Sequence, residues 1–359
     1  MKNLFPSNIF SALKDPNWKK AVQEKLHALE KSATWTITDL PKGIKSVGCK
    51  WIFAIEYNSN GNIQCYKAQL MAKVYTQTYG VDFTKTFAPV AKLNIVRLLP
   101  SAVVNYDWPL HHIDVKNAFL NGNLEEEVYM WNPLCLKSIG GKNQVCKLNR
   151  SLYGLKQSPR AWFERFTNVI LQNGYKQSLV DHTLFIQHTS ANKKVILLVY
   201  VGDIILTGDD AQEIQSLKKI LNREFETKDL GKLRYFLGME VVGSREELVI
   251  NQRKYVLDLL GEAGFLDSKP VDTPMEANLK FSTEATRPLE DKEQYQRYVG
   301  KLIYLYLTRP DIAFSVNVIS QRMANPNEEH LAATHHILKY LKKTPGHGLI
   351  FRKTQDRNV

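Results

Sequence analysis

The spacing of apolar and polar positions near the start of the chain predicts an amphipathic helix. Asp15-Pro16 supplies a capping side chain and a proline in the first turn, where the missing backbone N–H is tolerated. Apolar residues then recur at helical spacing as far as Ser32, at Trp18, Ala21, Val22, Leu26 and Leu29. The first predicted element is therefore a helix with one buried face.

Between residues 34 and 76 the pattern changes from helical spacing to β-rich segments. The segments Trp51–Ile55 and Lys67–Val74 flank Asn58-Ser59-Asn60-Gly61, which is a sequence that favours a tight hairpin turn. These residues predict a two-stranded antiparallel arm.

The middle of the chain has the order strand, helix, hairpin, helix. Leu110–Val115 is a short apolar segment, Arg160–Asn173 is amphipathic, Val195–Leu206 divides around Gly202-Asp203, and Ala211–Phe225 has helical spacing. This order predicts an α+β fold in which an antiparallel sheet is backed by helices.

A proline interrupts another predicted helix. Residues 94–106 have helical character, but Pro100 lies in their interior. Because proline lacks an N–H and its ring clashes with the preceding turn, we expect a break or a kink, at roughly 3 kcal/mol if the helix persists.

The last third of the chain is predicted to be mostly helical. The helical trend runs through residues 248–260 and 299–307, and a polar stretch at residues 273–288 indicates a linker with a boundary near residue 276. Two more helices are expected between residues 312 and 341, around Asn325-Pro326.

Composition narrows the range of functions. The chain has 48 Lys+Arg and 36 Asp+Glu, a formal net charge of +12, which favours a nucleic acid partner, although surplus lysine can also be merely solubilising. No apolar run reaches the roughly 20 residues that span a bilayer, and the first residues lack a signal-peptide pattern. We therefore expect an intracellular protein, cytoplasmic or nuclear, without a membrane partner. The cysteines have no CxxC spacing that would indicate a zinc ribbon: Cys49, Cys65, Cys135 and Cys146.

Two acidic residues stand where a charge is costly unless it is paired or coordinated. Asp114 ends the apolar segment that begins at Leu110, and Asp203 follows Gly202 between two apolar segments. Acids at the edge of apolar strands are candidate metal ligands or catalytic groups. An acid exposed at a turn explains either one alone equally well.

Longer strings give these acids a context. Tyr200-Val201-Gly202-Asp203 resembles the Tyr-x-Asp-Asp signature of reverse transcriptases, and Asp114 with Phe119 resembles their first catalytic motif. The string SLYGLKQSPRAW at residues 151–162 is similar, nearly residue for residue, to the nucleotide-site motif of copia-type LTR-retrotransposon Pol polyproteins. Further similar strings cover almost the whole chain, at residues 47–51, 66–68, 87–92, 228–231, 235–238, 299–304 and 308–312.

The resemblance implies the reverse transcriptase region of such a polyprotein, with the right-hand fold of fingers, palm and thumb. On this basis we expect an N-terminal helix and lead-in at residues 1–33 and a reverse transcriptase domain at 34–276, with fingers, palm and the start of the thumb. Residues 277–359 would form an α-rich thumb or connection segment that leads towards a ribonuclease H domain outside this chain. The implied partners are an RNA or DNA template with its primer and dNTPs. The oligomeric state is not indicated.

The chemistry that the resemblance implies is two-metal nucleotidyl transfer. Two Mg²⁺ ions about 3.5–4 Å apart hold the attacking and leaving oxygens, which requires carboxylates from separate strands to converge. Asp114 and Asp203 would be metal ligands. Phe119 would exclude a ribose 2′-hydroxyl, unless it is a plain core aromatic. The other implied nucleotide-binding residues are Tyr153, Gly154 and Lys67.

Two further roles follow from the resemblance. Lys228 would be a proton donor that assists pyrophosphate departure, or else an exposed lysine at a helix end. Phe236, Leu237 and Gly238 would form the primer grip, which positions the 3′ end of the primer.

The chain departs from the family pattern at positions that bear on activity. Gly202 stands where family members have an aspartate shared between both metals, and Gln69 stands where they have an arginine that contacts the triphosphate. Because glycine suits a tight turn, we expect the hairpin to persist while the second metal site is compromised. A rate loss beyond roughly 10²-fold is expected. Further departures are Val74, Pro100 and Cys135.

Neighbouring residues offer no replacement for the lost ligand. Asp209-Asp210 lie too far along the strand, and Asp210 is expected to cap the next helix instead. His330, His335 and His336 are interpreted as surface and core residues of a helix, because no carboxylate cluster accompanies them.

Two hypotheses follow. The first is an RNA-directed DNA polymerase by descent, whose activity in this copy is low or absent. The alternative is a decayed, non-catalytic nucleic-acid-binding remnant.

Overall fold

The computed structural model describes residues 5–57, 62–73, 75, 77–80, 82–133, 144–190, 192–244, 246–279, 281 and 288–354. The predicted turn at residues 58–61 lies outside these residues, as do Val74 and Cys135. Helices and antiparallel strands are mixed along the chain, so the predicted α+β class is confirmed.

The described helices, in chain order, are α1 (Ile9–Ala12), α2 (Pro16–Lys31), α3 (Leu93–Tyr106), α4 (Ser158–Gln172), α5 (Ala211–Glu224), α6 (Arg253–Glu262), α7 (Lys292–Leu305), α8 (Ala313–Ser320) and α9 (Glu328–Lys343). Short 3-10 helices lie at Ala118–Asn121 and Pro310–Ile312. Within the part of the chain that is described, no helix is both long and apolar enough to cross a membrane.

The described strands are β1 (Trp35–Asp39), β2 (Cys49–Tyr57), β3 (Ile63–Ala72), β4 (Leu110–Val115), β5 (Asn123–Trp131), β6 (Gln144–Arg150), β7 (Lys176–Gln177), β8 (Leu184–His188), β9 (Lys194–Tyr200), β10 (Asp203–Gly208), β11 (Thr227–Lys232), β12 (Tyr235–Phe236), β13 (Met239–Gly243), β14 (Glu247–Asn251) and β15 (Gly348–Arg352). They form sheets of six, four, three and two strands.

Two predicted helices begin where their capping residues indicate. The Asp15 carboxylate accepts from the backbone N–H groups of Asn17 and Trp18, so α2 starts at the predicted proline and ends before Ser32. The Asp210 carboxylate accepts from the N–H of Glu213 and caps α5. Both caps satisfy donors that the first helical turn leaves free.

The chain divides into two compact units, and the first comprises Met1–Ala91 and His112–Leu230. Its main sheet has the strand order β11-β4-β10-β9-β8-β7. Apolar side chains of α4 and α5 pack against this sheet in one core, which includes Trp162, Phe166, Leu217 and Leu221. The predicted sheet with helices packed against it is therefore present.

The predicted arm is also present in the first unit, as the antiparallel pair β2–β3. Burial alternates along β3: Ala68, Leu70 and Ala72 are buried, whereas Lys67 and Gln69 are on the opposite, more accessible face. Lys67 and Gln69 thus project from one face of the arm.

A three-stranded sheet in the order β1-β6-β5 lies in the same unit and was not predicted.

The second unit comprises Lys92–His111 and Gly231–Val359. It contains a four-stranded sheet in the order β12-β13-β14-β15 together with helices α6 to α9. The predicted helical trend from residue 248 was wrong at its start, because Glu247–Asn251 is a strand. Leu248 and Ile250 are buried at a period of two, which is strand alternation.

Pro100 does not break the helix that contains it. Helix α3 runs through the proline from Leu93 to Tyr106, so the predicted break was wrong. Pro100 is buried beside the buried residues Leu99 and Val103. Burial of this apolar face offsets the backbone hydrogen bond that proline cannot make.

Candidate active site

The two predicted metal ligands lie at one end of the main sheet. Asp114 is near the end of β4, and Asp203 begins β10 directly after the β9–β10 turn. The backbone N–H of Val115 donates to the carbonyl of Gly202 at 2.8 Å, so the end of β4 lies against this turn. The structure therefore brings together carboxylates that are 89 residues apart in the sequence (203 − 114 = 89).

The electrostatics of Asp114 reflect this neighbourhood. Burial raises the pKa of the Asp114 carboxyl above its ordinary value, and the charge of Asp203 raises it further. Interactions with Lys67, His112 and Lys228 act to lower the pKa of Asp114 but do not prevail. A carboxylate whose charge is disfavoured by a second carboxylate is stabilised by a bound cation.

His112 is a site residue that the sequence reasoning missed. Its Nε2 lies 2.8 Å from an Asp203 carboxylate oxygen. The His112 side chain is 11% exposed and that of Asp203 is 41% exposed, so a buried ring anchors a more accessible carboxylate. The signal was the spacing of two between His112 and Asp114, which puts both on one face of β4.

The turn at Gly202 differs from the prediction. Gly202 does not have a left-handed φ, and the left-handed residue is instead Val201, with φ +53°. The carbonyl of Val201 accepts a 2.7 Å hydrogen bond from Trp162 Nε1, which helps to hold this turn. The hairpin persists around Gly202 as predicted, but the left-handed position of its turn is Val201.

A side chain at position 202 would extend towards the end of β4. A Cβ added to Gly202 would lie 3.9 Å from Asp114 Oδ1, 3.6 Å from the Ala118 Cβ and 3.2 Å from the Val115 carbonyl oxygen. The last contact is tight and requires a small backbone adjustment. A side chain at position 202 would thus start beside the Asp114 carboxylate.

Two aromatic rings adjoin the carboxylates. The ring centroids of Phe119 and Tyr153 are 4.5 Å apart, at an interplanar angle of 57°. Ser151 Oγ donates to the Phe119 carbonyl. Burial raises the pKa of Tyr153, the charges of Asp114 and Asp203 raise it further, and a hydrogen bond with Gln69 opposes them. The predicted nucleotide-site residues therefore adjoin the carboxylate pair.

Gly154 is needed for a close approach of two backbones. Its φ is +94°, and a Cβ there would meet the Ala72 carbonyl oxygen and lie 3.0 Å from the Ala72 nitrogen. The Ala72 N–H donates to the carbonyl of Tyr153 at 2.8 Å. The space that glycine leaves is thus occupied by the end of β3, which fixes the arm to this loop.

Lys67 forms an ion pair with Glu56, which was not predicted as a site residue. Lys67 Nζ lies 2.5 Å from a Glu56 carboxylate oxygen. Burial acts to lower the pKa of Lys67, but the ion pair with Glu56 outweighs it and the pKa is raised. Glu56 also interacts with Lys228, so the cations around Asp114 share a second acid.

Lys228 lies in the strand β11 and is exposed, so its interpretation as a helix-end lysine was wrong. Strand β11 is the neighbour of β4 in the main sheet. This pairing explains why the positive charge of Lys228 acts on Asp114.

The residues predicted as the primer grip lie in the second unit. Phe236 is buried, and Leu237 and Gly238 form the β12–β13 turn with φ values of +51° and +66°. The Tyr304 hydroxyl donates to the Leu237 carbonyl. A non-glycine residue with this φ is uncommon, and the hydrogen bond from α7 helps to hold it.

Asp209 and Asp210 lie at the opposite end of the β9–β10 hairpin from the turn. Lys194, the first residue of β9, donates its N–H to the Asp209 carboxylate at 2.6 Å. Neither acid is near Asp203, as predicted. His330 lies in α9, and its Nδ1 accepts from the N–H of Asn327 at the start of that helix.

The donor set fits a divalent cation incompletely. Among the described residues, no group of three or more His, Cys, Asp or Glu side chains is arranged to hold a metal ion. The pair formed by Asp114 and Asp203 supplies two carboxylates, and position 202 supplies none.

Carboxylates that converge from separate strands can hold the metal ions of phosphoryl-transfer enzymes. The chain belongs to the family Reverse transcriptase (RNA-dependent DNA polymerase), which it matches over residues 32–277. Enzymes of this family generally use divalent metal ions.

Curated relatives agree with the predicted resemblance to copia-type polyproteins. The chain is 41% identical to the retrovirus-related Pol polyprotein from transposon RE1 of Arabidopsis thaliana, over 97% of this chain and 24% of the relative. It is 38% identical to that from transposon RE2 of the same plant, over 98% and 24%. It is also 38% identical to that from transposon TNT 1-94 of Nicotiana tabacum, over 92% and 26%. The chain spans about a quarter of the length of these relatives.

Proposed function

We propose that the chain is the polymerase region of a copia-type retrotransposon Pol polyprotein and that its ancestral reaction is RNA-directed DNA synthesis by two-metal nucleotidyl transfer. The observation that carries this proposal is the convergence of Asp114 and Asp203 at one end of the main sheet. The substrates would be an RNA or DNA template with its primer, and dNTPs. The net charge of +12 suits these polyanions.

Each residue of the site has a proposed role in this reaction. Asp114 and Asp203 hold Mg²⁺, and His112 orients the Asp203 carboxylate through its 2.8 Å contact. Mg²⁺, when bound, lowers the pKa of the attacking hydroxyl and neutralises charge on the leaving pyrophosphate. Phe119 stands as the barrier to a 2′-hydroxyl, with its ring packed on Tyr153.

Cations would bind the triphosphate and the leaving group. Lys67 and Lys228 both act electrostatically on Asp114, so their charge extends to the position of a metal-bound triphosphate. Lys228 is the proposed proton donor to pyrophosphate. Gln69 is neutral and bonded to Tyr153, so it cannot replace the bidentate contact of an arginine.

The parts of the proposed right-hand fold are assigned to the following elements. The β2–β3 arm would belong to the fingers, the six-stranded sheet to the palm, and residues 277–359 to the thumb or connection. The turn at Phe236, Leu237 and Gly238 would be the primer grip.

This copy is proposed to be impaired at position 202. Because a Cβ there would lie 3.9 Å from Asp114 Oδ1, an aspartate at this position would join the carboxylate pair. Glycine removes one negative charge from a site that must hold two dications, and the second metal site is the one proposed to be compromised. Loss of one transition-state contact of this kind costs roughly 10²–10³-fold in rate.

The test is Mg²⁺-dependent primer extension on an RNA template. The chain as written is compared with Gly202→Asp and with Gly202→Asn, which matches the size of aspartate but lacks its charge. We expect Gly202→Asp to exceed the other two by about 10²-fold or more, and addition of Gln69→Arg to lower the KM for dNTP. Equal rates for the chain as written and Gly202→Asp would contradict the metal-site proposal.

A second candidate is a non-catalytic nucleic-acid-binding protein that retains a basic surface. The missing third carboxylate among the described residues favours it. Its expected signature is salt-dependent binding of primer–template duplex without incorporation by the parent or by Gly202→Asp. Extension by Gly202→Asp would instead favour the polymerase with a single damaged position.

A further inference from the structure

Helix α2 contains a lysine that faces the inside of the molecule. Lys25 is 8% exposed and shares a face of α2 with the buried residues Trp18, Val22 and Leu29. Lys20 on the same helix is largely exposed, with 78% of its side chain accessible. Lysine is rarely buried unless a polar partner accepts its protons. The burial of Lys25 therefore requires a specific polar partner.

That partner is in the loop between the candidate metal ligand Asp114 and the candidate gate Phe119. Lys25 Nζ donates to Asn117 Oδ1 at 2.6 Å. The same nitrogen lies 5.9 Å from the ring centroid of Tyr153, within the range of a cation–π contact. One buried cation thus contacts the loop and the ring on which Phe119 packs.

Asn117 is a position where the backbone needs support. Its φ is +51°, in the left-handed region, and it immediately precedes the 3-10 helix Ala118–Asn121. The Asn117 carbonyl accepts from the Leu120 N–H at 2.8 Å, so Asn117 closes the first turn of this helix. Phe119 lies within that turn, so the backbone that carries its ring is held in part by the conformation of Asn117.

We propose that Lys25 is a positioning residue for the nucleotide gate: its contacts with Asn117 and Tyr153 hold the Phe119 ring where it excludes a ribose 2′-hydroxyl. This inference rests on the proposed function of Phe119. It assigns a role in substrate selection to α2, which precedes the residues that match the family. Burial, which lowers the pKa of Lys25 to about 8, agrees with an enclosed position for the amine.

The experiment measures nucleotide selection by the chain as it stands. The protein is mixed with a primer–template whose primer ends in a dideoxynucleotide, and the apparent Kd of the next complementary dNTP and of its rNTP is obtained from the stability of the ternary complex. The variants are Lys25→Met, which keeps the length of the side chain, Asn117→Gly, which keeps the left-handed backbone, and Phe119→Ala as the reference for a lost gate. Lys20→Met is the matched exposed control.

We expect the ratio of the rNTP Kd to the dNTP Kd to fall about fivefold in Lys25→Met, the equivalent of one hydrogen bond of about 1 kcal/mol. Asn117→Gly should have a similar effect, and the double variant should add little, because both remove the same contact. Lys20→Met should match the parent. A purely structural role for Lys25 would lower the thermal unfolding midpoint without changing this ratio.

Two results would overturn the proposal in distinguishable ways. If Phe119→Ala lowers the ratio and Lys25→Met does not, Lys25 does not position the gate. If Phe119→Ala also leaves the ratio unchanged, or if no ternary complex forms with the parent or with Gly202→Asp, the proposed role of Phe119 fails and this inference fails with it.

Discussion

The backbone at position 202 does not require glycine. The strained residue of the turn is Val201, and Gly202 has an ordinary φ. Asp114 and Asp203 could be selected from the sequence because an acid beside an apolar strand is conspicuous. His112 and Lys25 could not, since their importance depends on partners 91 and 92 residues away.

Lys25 offers a test of its burial through stability. Its pKa is lowered to about 8 by burial, from an ordinary value of 10.5. Between these values the unfolded chain holds more protons at this site than the folded protein, so the free energy of unfolding rises as pH increases from about 8 to about 10.5. In Lys25→Met this contribution is lost. The parent-minus-variant difference in free energy of unfolding should change by on the order of 1–3 kcal/mol over that window.

Urea denaturation at several pH values from 7.5 to 10.5 provides the measurement, with Lys20→Met as the control for an exposed lysine of the same helix. A parent-minus-variant difference that does not depend on pH would mean that Lys25 is not buried as a cation.

A second prediction concerns the stability of a variant at Gly154. Gly154→Ala places a Cβ against the Ala72 backbone and adds strain at a φ of +94°. Gly43→Ala is the matched control, because Gly43 has a φ of +83° with nothing within 4 Å of an added Cβ. The control should lose about 1–2 kcal/mol from backbone strain alone. We expect Gly154→Ala to lose at least about 2 kcal/mol more, by urea denaturation. Equal losses would indicate that β3 does not approach the loop closely.

Helix starts and the β9–β10 hairpin could be predicted from local sequence, whereas pairings between distant strands could not. Helices α2 and α5 start at their capping aspartates, and the β9–β10 hairpin forms around the predicted turn. Strand β1 pairs with β6, which lies more than 100 residues later in the chain, and single-segment patterns cannot reveal such a pairing. Strand β14 was mistaken for the start of a helix because its short apolar run adjoins α6 directly.

The next prediction concerns the proline inside helix α3. Its interior proline removes one backbone hydrogen bond, yet the helix continues from Leu93 to Tyr106. Pro100→Ala should restore that bond, and the gain should exceed the loss of buried ring atoms. We expect the free energy of unfolding to rise by about 1–2 kcal/mol. The comparison is Ser101→Ala in the same helix, which should change stability little. A destabilised Pro100→Ala would mean that packing of the ring dominates.

At the scale of the whole molecule, the family and the α+β class could be predicted because similar strings are distributed along nearly the entire chain. The division into two compact units could not, since each unit combines segments from separate parts of the sequence. The three-part division at residues 33 and 276 remains a prediction. Sequence strings identify relatives, whereas packing between distant segments decides which residues share a core.

The proposed function depends on whether Asp114 and Asp203 act together as a divalent metal site that lacks one ligand. Titration of Mn²⁺, followed by the electron paramagnetic resonance of the free ion, measures this directly. The chain as written is compared with Gly202→Asp, and with Asp114→Asn and Asp203→Asn in the Gly202→Asp background. We expect Gly202→Asp to bind Mn²⁺ at least about tenfold more tightly than the chain as written, and either asparagine to abolish the gain. Mn²⁺ affinity that is unchanged by Gly202→Asp, or unaffected by both asparagine variants, would contradict it.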